Sequence, residues 1–442
     1  MTMEWILTAP WEPDLERRGD ALGLGNIAED FANILAPDLS NRTRDARWIS
    51  ILSWCLCMSE NAPWRQKGSN GGWSSDLSRS RYEWIQPLEL MWIYRTYNIT
   101  MEYKGFQLPG IRTVKKLVDE KRSIPSTFDL SDDQLHRYRF IGIYGSYRTA
   151  LRFLPGLTEN EDGWTPGEKA KMLAAIVSEK IKFPVPESIS AKAKVDKYWR
   201  NQWQNWRGDG VSNRKEVFLP QDEADVTILP KKESEILGNV IFGADENGKR
   251  RKKVVETIAK CKAVDHKELC EVLSPIDDKL KVLAPFADLT ESALAVLSSV
   301  WRLFCSPTNK NPTISLDEAV TNKETRAKLD AAKKSAVAWN KQQFGEYYAL
   351  CSKLAEALSE DSHKIRLKNL IQFHSEYGAG LHWMCIDKKT NILPLLPTNS
   401  RGASPYRYRL WQLCRLAVQC GVLKKMPDAL KPDDDDNSEV EK

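Results

Sequence analysis

Apolar positions along this chain recur mostly at helical spacing, and helices dominate what the pattern predicts. Leu24, Ile27, Phe31, Ile34 and Leu35 form one stripe that stops at Pro37. Trp48, Ile49, Leu52, Cys55 and Leu56 form the next. Residues 61–80 are rich in Gly, Ser and Asn and read as an exposed loop. A helix from Trp84 to Tyr97 follows, with Pro87 in its first turn, and then one from Ile111 to Lys121 with Ile111, Val114, Leu117 and Val118 inward.

Residues 131–177 make the most complete local unit. Ser131 and Gln134 fit a capping box, Gly142 and Gly145 bracket a turn, and a second helix runs from Tyr147 to Phe153. Pro155 and Gly156 stop it, and Glu159 to Gly163 reads as a tight hairpin turn between Leu157 and Trp164. Thr165, Pro166 and Glu168 fit N-cap, N1 and N3 of a closing helix. Helix, turn, helix, hairpin is the outline of a winged helix.

Beyond residue 182 the pattern changes. Trp199, Trp203 and Trp206 share one helical face, Ile236 to Phe242 is strand-like, and a helix runs from Val254 to Lys262. The C-terminal part is helical again: a helix capped by Thr290, a long or kinked one over 325–358, and one capped at Ser362 and closed by Gly378. Leu381, Trp383 and Cys385 alternate ahead of a turn at 388–391, a hairpin signal. A last helix opens at Ser404 and Pro405 and ends with Gly421 at C′. The expected fold is mainly α with minor β. It divides into a helical N-terminal domain (1–182) with the winged-helix-like unit, a Trp-rich and basic middle (183–285), a helical C-terminal domain (286–427) and a disordered acidic tail (428–442).

Composition narrows this. A chain of 442 residues predicts two or three domains, and a net charge of +5 permits nucleic-acid contact without demanding it. Nine cysteines with no CxxC pair read as reduced thiols, and no run reaches the roughly 18 apolar residues of a membrane helix. A cytoplasmic protein with no membrane association is expected. The 16 tryptophans read first as buried anchors and second as stacking or cation–π groups.

No catalytic motif stands. Gly243 to Lys249 matches GxxxxGK after the strand-like run, but Arg250 replaces the hydroxyl residue, and Asp245 and Glu246 place anions where phosphates would sit. His374, His382 and Cys385 are three zinc candidates without paired spacing. Asp222, Asp225 and Lys231 fall short of a nuclease core. No catalytic residue, metal or cofactor is therefore expected. What remains is basic clusters. Arg42, Arg44 and Arg47 stand at a helix start, against its dipole. Tyr147, Arg148 and Arg152 lie on the second helix of the winged-helix-like unit, with Arg137, Tyr138 and Arg139 upstream. Lys249, Arg250, Arg251, Lys252 and Lys253 form an unbroken run. These eleven residues, Arg137 to Arg139 apart, are the expected DNA contacts, although an acidic turn at 159–162 would repel phosphate.

Two stretches carry a resemblance. LGLGNIAEDFANILAPDLSNRTRDARWISILSWCL (22–56) and HSEYGAGLHWMCIDKKTNILPLLP with YRYRLWQLCRLAVQCGVL (374–423) resemble the opening and closing segments of an uncharacterised bacterial domain family. Members tend to be encoded beside helicases and phospholipase-D-like nucleases in anti-phage defence islands. The resemblance implies context and carries no catalytic residue. Together these readings predict a non-enzymatic DNA-binding subunit of a multi-protein defence complex. The alternative is a structural adaptor that binds a helicase or nuclease subunit without touching nucleic acid, and a nuclease of unfamiliar type is a third.

Overall fold

The computed structural model describes residues 20–62, 75–100, 109–119, 132–159, 163–181, 189, 198–199, 226–262, 265–305, 313–342, 344–379, 382–387, 390–395 and 407–430. It is mainly helical, with one small sheet. Trp203, Trp206, Asp222, Asp225 and the tail beyond 430 lie outside the described residues; Asp428–Leu430, placed in the tail by the sequence, form a 3-10 turn. None of the described helices is long and apolar enough to cross a membrane.

Chain contacts divide the protein differently from the boundaries near 182 and 285. One unit takes Met1–Ile34 with Cys261–Tyr408, and the other takes Leu35–Lys260 with Arg409–Lys442. Each is assembled from distant stretches of sequence.

The second unit is built on α2 (Arg47–Met58), which is buried on almost every side, Cys57 alone being half-exposed after Arg47. A helix apolar all round belongs inside a core. It packs against α3 (Ser75–Thr100), α6 (Ile143–Phe153) and α7 (Glu168–Ile181). The α3 helix starts well before Trp84, inside the expected loop, and Pro87 lies within it rather than in its first turn. It brings polar groups into the core: Arg81, Gln86, Glu89 and Thr96 are all buried. Arg81 is satisfied by the Leu56, Ser59 and Trp164 carbonyls. Trp199 also belongs to this core, its indole N–H donating to the Trp84 carbonyl at 3.1 Å. The short helix α4 (Ile111–Asp119) precedes α5 (Asp132–Ile141).

Gly142 alone separates α5 from α6. A Cβ there would stand 2.7 Å from Glu89 Oε2 and 2.8 Å from a Tyr138 ring carbon, so packing excludes any larger residue. No side chain of α6 caps its own start, but Glu89 Oε1 accepts from the Tyr144 N–H at 2.7 Å. That gives an orphan N–H at the helix start a buried carboxyl oxygen as its acceptor. The expected wing is reduced: in 157–167 the described backbone holds one isolated bridge, Thr158 with Pro166, and residues 160–162 are not described. The closing helix α7 starts at Glu168, where Gly167 passes close enough that a Cβ would lie 2.5 Å from the Gly156 carbonyl oxygen.

The strand expected at 236–242 is helical. It belongs to α8 (Lys231–Ile241), where Glu233, Leu237, Val240 and Ile241 are buried at helical spacing. The short apolar run suits either period, and the five residues ahead of it (231–235) extend the helix. Next comes α9 (Glu246–Lys260), which contains the basic run rather than following it. The last helix, α16 (Leu410–Gln419), ends in a Schellman motif: Gly421 has φ +72, its N–H reaches the Val418 carbonyl, and the Val422 N–H reaches Ala417.

In the first unit, α1 (Gly25–Leu35) and α10 (His266–Leu273) lead to α11 (Leu283–Cys305), in which Thr290 is mid-helix and donates to the Phe286 carbonyl instead of capping. After α12 (Leu316–Thr321), the expected 325–358 helix is two, α13 (Lys323–Asn340) and α14 (Ala349–Ser359), interrupted around Gly345. The helix α15 (His363–Tyr377) is capped by Ser362 and followed by Gly378, as its sequence predicts. The hairpin expected around residue 385 forms as β2 (Met384–Ile386) and β3 (Asn391–Pro394), with Cys385 opposite Leu393, and β1 (Ile314–Ser315) pairs on the other side of β3.

Candidate nucleic-acid interface

Residues 36–46 carry no helix or strand, yet they join three helical regions of the second unit. Asp38, in the left-handed region at φ +63, accepts from Arg251 Nη1 at 2.7 Å and from Asn247 at 2.9 Å, both on α9. Four residues later Arg42 Nη1 donates to the Phe140 carbonyl at 2.9 Å, near the end of α5. Between them the Ser40 hydroxyl donates to the Ser146 carbonyl on α6. Asp45 then receives Arg415 of α16 at 3.6 Å, and the Ala46 N–H donates to Gln419 at 2.8 Å. Four residues of chain reach at most about 14 Å. The segment therefore acts as a strap that ties α5, α6 and α9 to one short stretch of chain.

Each cluster is split between interior and surface. Arg251 is fully buried and donates to the Ile241 carbonyl at 2.5 Å, the Pro37 carbonyl at 2.8 Å and Asp38. Arg47 meets the buried Glu233 at 3.3 Å. Burial raises the Glu233 carboxyl above the ordinary range, opposed by Arg47 and by the Ser50 hydroxyl at 2.9 Å. Asp45 accepts the Arg47 N–H at 2.9 Å, so acids rather than an external anion balance the start of α2. Tyr147 is 1% exposed, and its hydroxyl accepts from the Asp45 N–H at 2.9 Å. Arg251, Arg47 and Tyr147 are thus corrections to the expected contact set. Arg251 and Tyr147 hold the strap, and the Arg47 side chain is tied to Glu233 of α8.

The outward members remain. Lys249, Lys252 and Lys253 are exposed on α9, with Arg250 half-exposed. Lys252 lies 4.0 Å from Glu256 and Arg250 3.6 Å from Glu246, each acid one turn away on the same helix. Arg42 is exposed, Arg44 half-exposed, and Arg148 and Arg152 are exposed on α6. Burial pushes the Tyr144 phenol up, while the guanidinium groups of Arg148, Arg139 and Arg152 all act on it in the opposite direction. Cations from two helices thus act on one phenol. Tyr144 is in turn stacked on Trp164, 4.4 Å between ring centroids at 13°. Gly163, at φ +74, leaves room for the Arg152 stem: a Cβ there would lie 2.8 Å from Arg152 Cγ.

Two aromatic rings complete the patch. Phe140 is 46% and Phe153 44% exposed, with the Arg139 guanidinium 5.7 Å from the first ring centroid and Arg152 5.3 Å from the second. Helical spacing does not mark them out, and the readable signal was the Arg-Phe pair repeated at 139–140 and 152–153. The acid that would oppose an anion here is partly offset, since Glu159 lies 3.8 Å from Lys171.

The other candidates take structural roles. Gly243 to Lys249 follows a helix, and Asp245 accepts the Gly248 N–H at 2.9 Å, a capping turn in place of a phosphate loop. His374 is buried with both ring nitrogens engaged, Nδ1 at 2.7 Å from the Ala21 carbonyl and Nε2 accepting from the Trp383 N–H at 2.8 Å. Burial lowers its pKa, so the ring is neutral and has no lone pair left for zinc. Among the described residues no group of His, Cys, Asp and Glu is placed to hold a metal. Comparison with protein families, with characterised proteins and with solved structures finds no match for this chain.

Proposed function

We propose that the protein binds DNA through the basic surface formed by α5, α6, α9 and the 36–46 strap, and that it works as a non-enzymatic subunit of a larger assembly. The observation that carries this reading is the convergence of three sequence-distant basic clusters on one strap, each keeping cations at the surface. Cations that meet phosphates release counterions, and affinity then falls with salt in proportion to their number. A winged-helix use of α6 is the finer form of the proposal, with α6 presenting Arg148 and Arg152 to the duplex or strand. The defence-island setting rests on the resemblance at 22–56 and 374–423.

The test is a salt titration of DNA binding by the purified chain. The variants are Arg148→Glu with Arg152→Glu, and Lys249→Gln with Lys252→Gln and Lys253→Gln. Each should lower the affinity and flatten the salt slope by about 0.9 for every phosphate that the variant no longer neutralises. Salt-independent binding, unchanged in both, would overturn the reading, and so would magnesium-dependent cleavage by the chain alone for its non-enzymatic part. The adaptor reading is favoured by exposed apolar side chains on the first unit, Val272, Val337 and Ile365. A helicase or nuclease partner that co-purifies through nuclease treatment and high salt would support it.

A further inference from the structure

We propose that the α5–α6 surface takes single-stranded nucleic acid, with the Phe140 and Phe153 rings stacking on bases while Arg42, Arg148 and Arg152 meet the phosphates. This deepens the DNA-binding reading above and rests on it. Both rings stand close to half exposed at the C-terminal ends of adjacent helices, each with a guanidinium beside it. Their spacing is set by the joint between the helices: one residue, Gly142, joins them, Glu89 holds the start of α6, and Tyr144 of α6 stacks on Trp164. In a duplex the base faces are already stacked, so an exposed Phe beside a row of phosphates gains little. An unpaired strand offers free base faces, and a surface of alternating cations and aromatic rings suits it. Arg148 is exposed and in no ion pair among the described residues, which leaves its charge for a phosphate.

The experiment measures binding of the full chain to labelled oligothymidine, to oligouridine and to a duplex of the same length, across a salt series. It compares wild type with Phe140→Ala plus Phe153→Ala and with Arg148→Gln plus Arg152→Gln. Oligothymidine should bind more tightly than duplex at every salt concentration. The Phe variant should lose about tenfold in single-strand affinity per ring, with a parallel salt line, because stacking releases no counterions. The Arg variant should flatten the line. Both rings are exposed, so the Phe variant should unfold at the wild-type temperature; if it does not, Phe153→Ala alone supplies the comparison. Unchanged single-strand affinity in the Phe variant, or duplex bound as tightly as single strand, would overturn this inference while a steep salt slope kept the DNA-binding reading. No binding to any of the three would overturn both. Binding to oligouridine alone would support the stacking surface and replace DNA by RNA as its ligand.

Discussion

The first turn of α15 and the basic run of α9 look alike in sequence, His363-Lys364-Ile365-Arg366 against Lys249 to Lys253, and the fold treats them differently. In that first turn of α15 each basic side chain meets an acid from another helix. His363 lies 2.8 Å from Asp330, Lys364 2.7 Å from Asp317, and the buried Arg366 3.4 Å from Asp330 while also donating to the Leu329 carbonyl at 2.5 Å. At α9 Arg251 turns inward to acids ahead of its helix, Asp38 and, at 3.9 Å, Asp245. Lys252 and Arg250 meet glutamates of their own helix, in pairs worth a few tenths of a kcal/mol at about one helical turn. The difference teaches that a basic run does not define a binding surface. The acids that fold against it decide whether any field reaches a ligand.

The comparison breaks most sharply at its buried members. Arg251→Ala removes a charge that satisfies two carbonyls and Asp38, and should cost about 3–5 kcal/mol of stability, read as a drop in denaturant midpoint. Arg366→Ala should act in the same direction in the first unit. A loss below about 1 kcal/mol for either would mean that these guanidiniums do not hold their units together.

Glu89 sharpens the contrast from the acid side. Burial raises its carboxyl from the ordinary 4.5 to about 8, against the Tyr144 and Ile143 N–H groups and the Tyr82 hydroxyl, which pull it down. Folding therefore takes up a proton between those values. The contribution to stability is full below about 4.5 and is lost as pH rises through about 8. The slope is at most about 1.4 kcal/mol per pH unit. Glu89→Gln should flatten it, measured as denaturant midpoints across that window; an unchanged slope would place the titration elsewhere.

A smaller effect separates the two basic runs by binding. Arg148→Glu with Arg152→Glu should reduce DNA affinity with a flatter salt slope, whereas Lys364→Glu should leave both untouched in the same assay. Smallest of all is Lys364→Gln, which removes a partly exposed pair with Asp317 and should change stability by less than about 1 kcal/mol.

Much of the fold was legible where local chemistry decides it. Ser362 caps α15, Gly421 closes α16, and the alternation of Trp383 and Cys385 marks the hairpin, because each is set by residues within a turn of itself. Features set beyond a single turn were not legible. Ile236 to Phe242 is apolar enough for either period, and the buried helical face that it continues starts at Glu233. Thr290 has the chemistry of a cap, but Leu283 to Leu289 continue the helix upstream of it. The basic clusters were visible as clusters. Which member turns inward was not, since Arg251 and Lys252 are neighbours in one run and are separated only by Asp38, more than two hundred residues away. The contiguous domains expected from composition met the same obstacle: α16 joins the start of α2 through Gln419 and Asp45 across most of the chain.

The most direct test sets the two faces of α9 against each other. Arg251→Ala and the Lys249→Gln, Lys252→Gln, Lys253→Gln variant would be compared by thermal unfolding and by the salt dependence of DNA binding. The inward change should lower the unfolding temperature, while the outward change should leave that temperature in place and flatten the salt slope. An outward variant that binds DNA with the wild-type slope would contradict the claim that this face meets phosphate.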